Sequence, residues 1–232
     1  MYRPANIRLS CKLVMLIGFF SPSIGRANGV DLNDVQFRIE NSNLVVSYKL
    51  ANGTAGSIAV FNKLFDWRTS EHPVNPNRAY TSLINGVLKI RKAIPELPEG
   101  GVVEALEVPF LSIIGPGEVL AEEFRLDIPV TGIQAYRKPC SGSDLAKQVE
   151  VQIGWAPLAA IATKTILGAS GPQPVVVDGD QAMASQQLVT AGRSLSVPTQ
   201  MRNVRSESAR ECSPVSALPL GRVERKAVLS FR

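Results

Sequence analysis

The chain has 232 residues, 45% of them hydrophobic and 19% charged, with a formal net charge of +5. That balance excludes a wholly disordered chain, and the length suits one large domain or two small ones. One histidine and three cysteines exclude a His/Cys-rich metal centre, and no apolar run reaches the roughly 18 residues of a membrane-spanning helix.

Arg3, Arg8 and Lys12 precede a short apolar run, residues 13–20 (LVMLIGFF), which Ser21-Pro22-Ser23 breaks. Gly25-Arg26-Ala27 then places small side chains at the minus-three and minus-one positions of a cleavage site. This is the secretory pattern, so residues 1–27 are read as a signal peptide cut after Ala27, and the rest as periplasmic or secreted. Those residues carry four basic groups and no acid, which leaves the remainder at net +1. The basic balance is therefore no argument for nucleic acid binding. What basic character remains is concentrated in residues 191–232, with 8 basic against 3 acidic groups.

From residue 28 to 155 the chain reads as strands. Val35, Phe37 and Ile39 alternate with polar neighbours, and LVVSYKL (44–50) follows the turn residues Asn41, Ser42 and Asn43. Asn52-Gly53 marks a turn before IAVF (58–61). Residues 79–84 and 87–92 flank Asn85-Gly86, a type I′ hairpin signal, because both residues tolerate positive φ. Further strands are expected over 102–111, 120–128, 132–137 and 149–155, with a bend or an edge strand at Pro109. Eight or nine short strands with turns between them predict an antiparallel β-sandwich. If Phe124 faces inward, so does Glu122, which then ends its strand or is a buried carboxylate with a partner.

Ten aromatics lie in residues 28–155 and one, Phe231, in 156–232. The expected division is a sandwich domain over 28–155 and a partly ordered C-terminal extension over 156–232, with the boundary at Trp155-Ala156-Pro157. In the extension, residues 168–174 (GASGPQP) look like a linker, and Asp180 is positioned to cap a helix through Val189. Residues 194–201 and 223–231 could add strands, the first confined to an edge by Pro198. After cleavage only Cys140 and Cys212 remain. Export makes a single bridge between them the expectation, worth about 4 kcal/mol in the chain-entropy model.

Chemistry is sparse. His72, the one histidine, lies in a polar Pro-containing loop. A hydrolase would need it with Asp66 or Asp127 and a serine such as Ser70, yet no Gly-x-Ser-x-Gly elbow is present. Asp178 and Asp180 lack the rest of a calcium loop. Asn52-Gly53-Thr54 is a formal glycosylation acceptor, but a turn explains it first. No catalytic, cofactor or metal residues are expected. Phe65 and Trp67, with His72, mark a candidate interaction loop.

The runs VVSYKLANGTAGSIAVFNKLFDW and VPFLSIIGPGEVLAEEFRLDIPV resemble an immunoglobulin-like sandwich of an exported bacterial protein, over roughly residues 33–155. The resemblance implies an all-β fold of about 8 strands and brings no activity with it. Periplasmic pilus-assembly chaperones are similar in length, export signal and sandwich content, but have two sandwich domains and a basic cleft. The reading is a non-catalytic envelope module, with an exposed sheet edge pairing with another envelope protein. The alternatives are a hydrolase using His72 and a chaperone-like periplasmic protein.

Overall fold

The computed structural model describes residues 29–66, 73–97, 103, 105–136, 143–168 and 171–202. The protein is all-β and sandwich-like, with twelve strands, one short α-helix and a single 3-10 turn among those residues.

The smaller layer is antiparallel. β1 (Val30–Glu40) pairs with β2 (Asn43–Asn52) across the two-residue turn Asn41-Ser42, with Asn41 at φ 54. β2 pairs on its other side with β7 (Val119–Asp127). Leu44, Val46, Tyr48 and Leu50 alternate inward from β2 and meet Phe124 and Leu126 of β7. Val45 faces the other way, yet is 1% exposed, because Arg38 and Arg125 flank it in register.

The larger layer is built around β9 (Ser143–Pro157), whose Val149, Val151, Ile153 and Trp155 enter the main core. β4 (Tyr80–Ile84) and β5 (Val87–Lys92) form the expected hairpin, with Asn85 and Gly86 at φ 52 and 76. β5 runs parallel to β9, and β3 (Ile58–Lys63) takes over the same edge at Trp155 and pairs outward with β6 (Phe110–Ile114). β12 (Gln187–Arg202) is antiparallel to β9 on the other side and ends parallel to β8 (Val130–Thr131). Two residues on, Ile133 exchanges both backbone hydrogen bonds with Thr81 of β4, at 2.8 and 3.1 Å. The path β4-β5-β9-β12-β8 thus returns to its start, and the sheet curls shut at this end. The parallel β5–β9 and β12–β8 pairs make this layer mixed rather than purely antiparallel.

β3 explains the second core. Its continuous apolar run has Ile58 and Val60 in the main core, and Ala59 and Phe61 on the opposite face. That face packs with Leu111, Ala156, Ile161, Val176 and Ala182. The last two come from β11 (Gly171–Val176), hairpin partner of β10 (Thr163–Gly168), and from α1 (Gly179–Ser185). A strand buried on both faces reads as an unbroken apolar run, as β3 does.

Several expectations change. The strand expected over 102–111 begins only at Phe110, directly after Pro109, which has no N–H to give a ladder. The strand expected over 132–137 reduces to Val130–Thr131 and the bridge at Ile133. Residues 168–174 are not a linker. Gly168 pairs with Gly171, and Pro172 and Pro174 lie within β11. The helix cap is Asp178, whose carboxylate accepts from the Gln181 N–H at 3.0 Å, and Asp180 sits in the first turn. The helix stops at Ser185 because Gln186 bonds both the N–H and the C=O of Ile94, at 2.7 and 3.1 Å, which draws the chain into β12. Gly154 leaves room for this contact, since a Cβ there would lie 2.5 Å from the Gln186 oxygen. The Trp155-Ala156-Pro157 position falls inside β9, and β12 from beyond it pairs along that strand. Ala27, Cys140, Cys212, Trp67 and His72 lie outside the described residues, and so do 203–232.

Candidate functional site

Alternation along four strands brings four polar side chains to one place inside the sandwich. Tyr48 follows Leu44 and Val46 on β2, Asn62 follows Ile58 and Val60 on β3, Lys92 follows Leu88 and Ile90 on β5, and Glu122 precedes Phe124 on β7. Glu122 is a half-buried carboxylate with partners, not an end-of-strand residue. One oxygen bonds the Lys92 ammonium. The other accepts from the Tyr48 hydroxyl at 2.5 Å and from Asn62 Nδ2 at 3.0 Å. Lys92 is fully buried, with its Nζ 4.2 Å from the centre of the Phe124 ring. Burial pulls the Lys92 amine below its ordinary value, against the pull of Glu122. Burial, reinforced by the Glu122 charge, pushes the Tyr48 phenol well above its ordinary value.

The Lys92 ammonium is saturated, while the buried Oδ1 of Asn62 has no hydrogen-bond partner among the described residues. The Lys92 N–H groups go to Glu122, to the Pro76 carbonyl at 2.8 Å and toward the Phe124 ring. Glu122 forms part of the floor of a cleft of about 360 Å³, beside Asn62, Lys63, Pro76 and Leu120, and its side chain is 15% exposed. The arrangement holds the segment after Pro73 against β7. Its next residue but three, Asn77, accepts the Arg125 N–H at 2.9 Å on the edge of β7 that β2 does not use.

Glu123, next in sequence, faces outward and meets Arg38 at 3.1 Å and Arg125 at 3.5 Å. The two neighbouring carboxylates therefore serve opposite faces, as strand geometry requires. Asn52 is 1% exposed. Its Nδ2 donates to the carbonyls of Gly56, Ile114 and Gly115, and its Oδ1 accepts from Thr54. The acceptor sequence is thus a buried turn lock.

Phe65 forms a bridge with Val74, and its ring stacks at a tilt on Phe110, 5.0 Å between centroids. Asp66 donates its N–H to the Pro73 carbonyl and faces Arg78 at 3.7 Å, so the two ends of the 67–72 segment are held together.

Most sheet edges are covered. β4 is closed by Ile133, β7 is capped by Asn77, and β11 lies against β6, with Lys63 reaching Gln173 at 3.2 Å. Two long edges have no ladder partner among the described residues: the outer side of β1, and that of β12 before β8 joins it at Met201. These strands run beside each other without pairing. Val30, Leu32, Val35 and Phe37 of β1, and Val189, Ala191 and Leu195 of β12, pack on the core there but are only partly buried.

No family model, curated protein or solved structure matches the chain.

Proposed function

We propose that this protein is an exported, non-catalytic β-sandwich module that works in the cell envelope by strand pairing. The observation that carries the reading is the β12 edge. Among the described residues its outer side has no ladder partner from residue 187 to 199, in a layer whose other long strands have partners on both sides. An open edge gives an extended segment backbone hydrogen bonds, and partly buried side chains such as Val189 and Ala191 give it specificity. Export rests on the pattern of residues 1–27. In that compartment Cys140 and Cys212 would form one disulfide, which thiol alkylation before and after reduction reads directly.

Backbone N–H groups alternate sides along a strand, so Thr190→Pro and Ala191→Pro act differently. One removes a bond to β9; the other removes a donor on the open edge. Amide exchange over 187–194 should slow when envelope extract is added. The substitution that keeps cooperative unfolding should abolish that slowing. Exchange indifferent to extract at both open edges would sink the pairing model. An activity of the purified protein that disappears in His72→Ala would establish the hydrolase alternative instead.

A further inference from the structure

We infer that the side chains of Lys92 and Asn62 join through an isopeptide bond, with Glu122 as the general acid–base that makes it. The inference depends neither on strand pairing nor on export.

Topology brings the reacting groups together. β3 and β5 lie along the same edge of β9, where Val60 pairs with Trp155 and Lys92 with Ile153. Asn62, two residues on from Val60, therefore comes level with Lys92, and both take the core parity of their strands. Glu122 faces them from β7 in the opposite layer. One of its oxygens bonds the Lys92 Nζ, and the other accepts from Asn62 Nδ2 at 3.0 Å. A single carboxylate thus touches the amine that attacks and the amide nitrogen that leaves. Lys92 is fully buried and Asn62 is 6% exposed, so little water reaches either. Such fixed juxtaposition removes the entropy cost of an encounter.

Two features of the cluster call for more than a structural role. Asn62 Oδ1 is buried without a hydrogen-bond partner among the described residues. Burial also pulls the Lys92 amine below its ordinary value, which brings its neutral, nucleophilic form within reach.

The step balances without a co-reactant. Glu122 takes a proton from the Lys92 ammonium. The lone pair freed on Nζ attacks Asn62 Cγ, and the carbonyl electron pair moves onto Oδ1. The proton on Glu122 passes to Nδ2. The carbonyl re-forms, and the Cγ–Nδ2 bond breaks with its electron pair leaving on nitrogen. Nζ, now an amide nitrogen, gives a second proton to Glu122, and NH3 departs through the cleft that Asn62 and Glu122 line. The products are a neutral amide and a neutral carboxyl, so the charges inside the sandwich disappear. The carboxyl O–H supplies a donor beside Oδ1, and the amide keeps one N–H for the Pro76 carbonyl. The Lys92–Glu122 ion pair is the chain before this step. The bond ties β3 to β5 and closes residues 62–92 into a covalent loop.

The test is a tryptic peptide map of the purified full chain by mass spectrometry. The sequence puts Asn62 in the peptide 50–63 and makes Lys92 a cleavage site. The expected product is residues 50–63 joined to residues 92–125, lighter than the two together by one ammonia, with no cut after Lys92. Glu122→Gln keeps both reacting groups and should yield the two peptides separately. Separate peptides in the parent, with cleavage after Lys92, would overturn the inference whether or not the variant folds. So would a loss of ammonia confined to the peptide 50–63, which marks a succinimide at Asn52 or Asn62. A link that forms equally well in Glu122→Gln would overturn the part assigned to Glu122.

Discussion

The two sides of the sandwich are finished in opposite ways. On the β7 side the edge is capped by Asn77, and the segment that carries the cap is anchored through the Pro76 carbonyl to a buried lysine. On the β1–β12 side no such cover exists among the described residues, and apolar side chains remain half-buried. An ion pair with a fully buried lysine is a costly way to fix one loop, and its benefit is that the loop sets Asn77 against the Arg125 N–H on the β7 edge. The open side keeps only mild devices, a bulge at Asp34 and a register shift in β12 between Ser194 and Thr199. The contrast is what makes the open side the place to look for a partner.

The largest test attacks the covered side. Lys92→Met leaves Glu122 without its counter-charge in the core and should cost about 3–5 kcal/mol in denaturant unfolding. Lys92→Met with Glu122→Leu removes both charges and should recover much of that loss. If the single variant is as stable as the parent, the pair does not anchor the loop and the contrast between the sides fails.

All four members of the cluster share the inward parity of their strands. VLKIRK places Lys92 in phase with Leu88 and Ile90, and the same parity applies to Tyr48, Asn62 and Glu122. Only Glu122 stands out from sequence alone, because a lysine at a strand end is ordinarily exposed and nothing local says which strands face one another. The long alternating strands were plain for the converse reason: β2, β7 and β9 carry their burial pattern in the period of two. The stretch before β12 was misleading. QAMASQQLV is rich in helix formers, and its strand half is set by the distant Ile94, whose N–H donates to Gln186 and whose C=O accepts from it. The Gly and Pro residues of β11 likewise resemble a linker, although a separate two-stranded ribbon tolerates them.

A second test uses pH. Tyr48 keeps its proton in the folded protein well above the ordinary phenol value, while in the unfolded chain it ionises near that value, about 10. Its contribution is therefore complete below about pH 10 and is lost as pH rises further. Lys92 acts in the other direction, because its depressed amine loses its proton more readily when folded. The readout is therefore the difference between the parent and Tyr48→Phe across pH 9–11. The parent should lose stability more steeply above pH 10, with a residual slope in the variant from Tyr80, whose phenol burial also pushes up.

A smaller effect is expected at the cap itself. Asn77→Ala removes one exposed hydrogen bond, about 1 kcal/mol at most. Its diagnostic signature is local: the Arg125 amide should exchange faster while the amides of β2 do not change. If the Arg125 amide is indifferent, the β7 edge is protected by something other than Asn77.

The smallest change belongs on the open side. Leu188 of β12 is 40% exposed and lies opposite Gly154 in the ladder. Leu188→Lys should leave unfolding within about 0.5 kcal/mol of the parent, since little apolar area is given up. A charge at the margin of a docking edge would still disturb an incoming strand's side chains, so the cost should appear in partner protection of residues 187–194 rather than in stability. A large stability loss instead would mean that the β12 face is already covered within the chain, and the free edge would then have to be sought elsewhere.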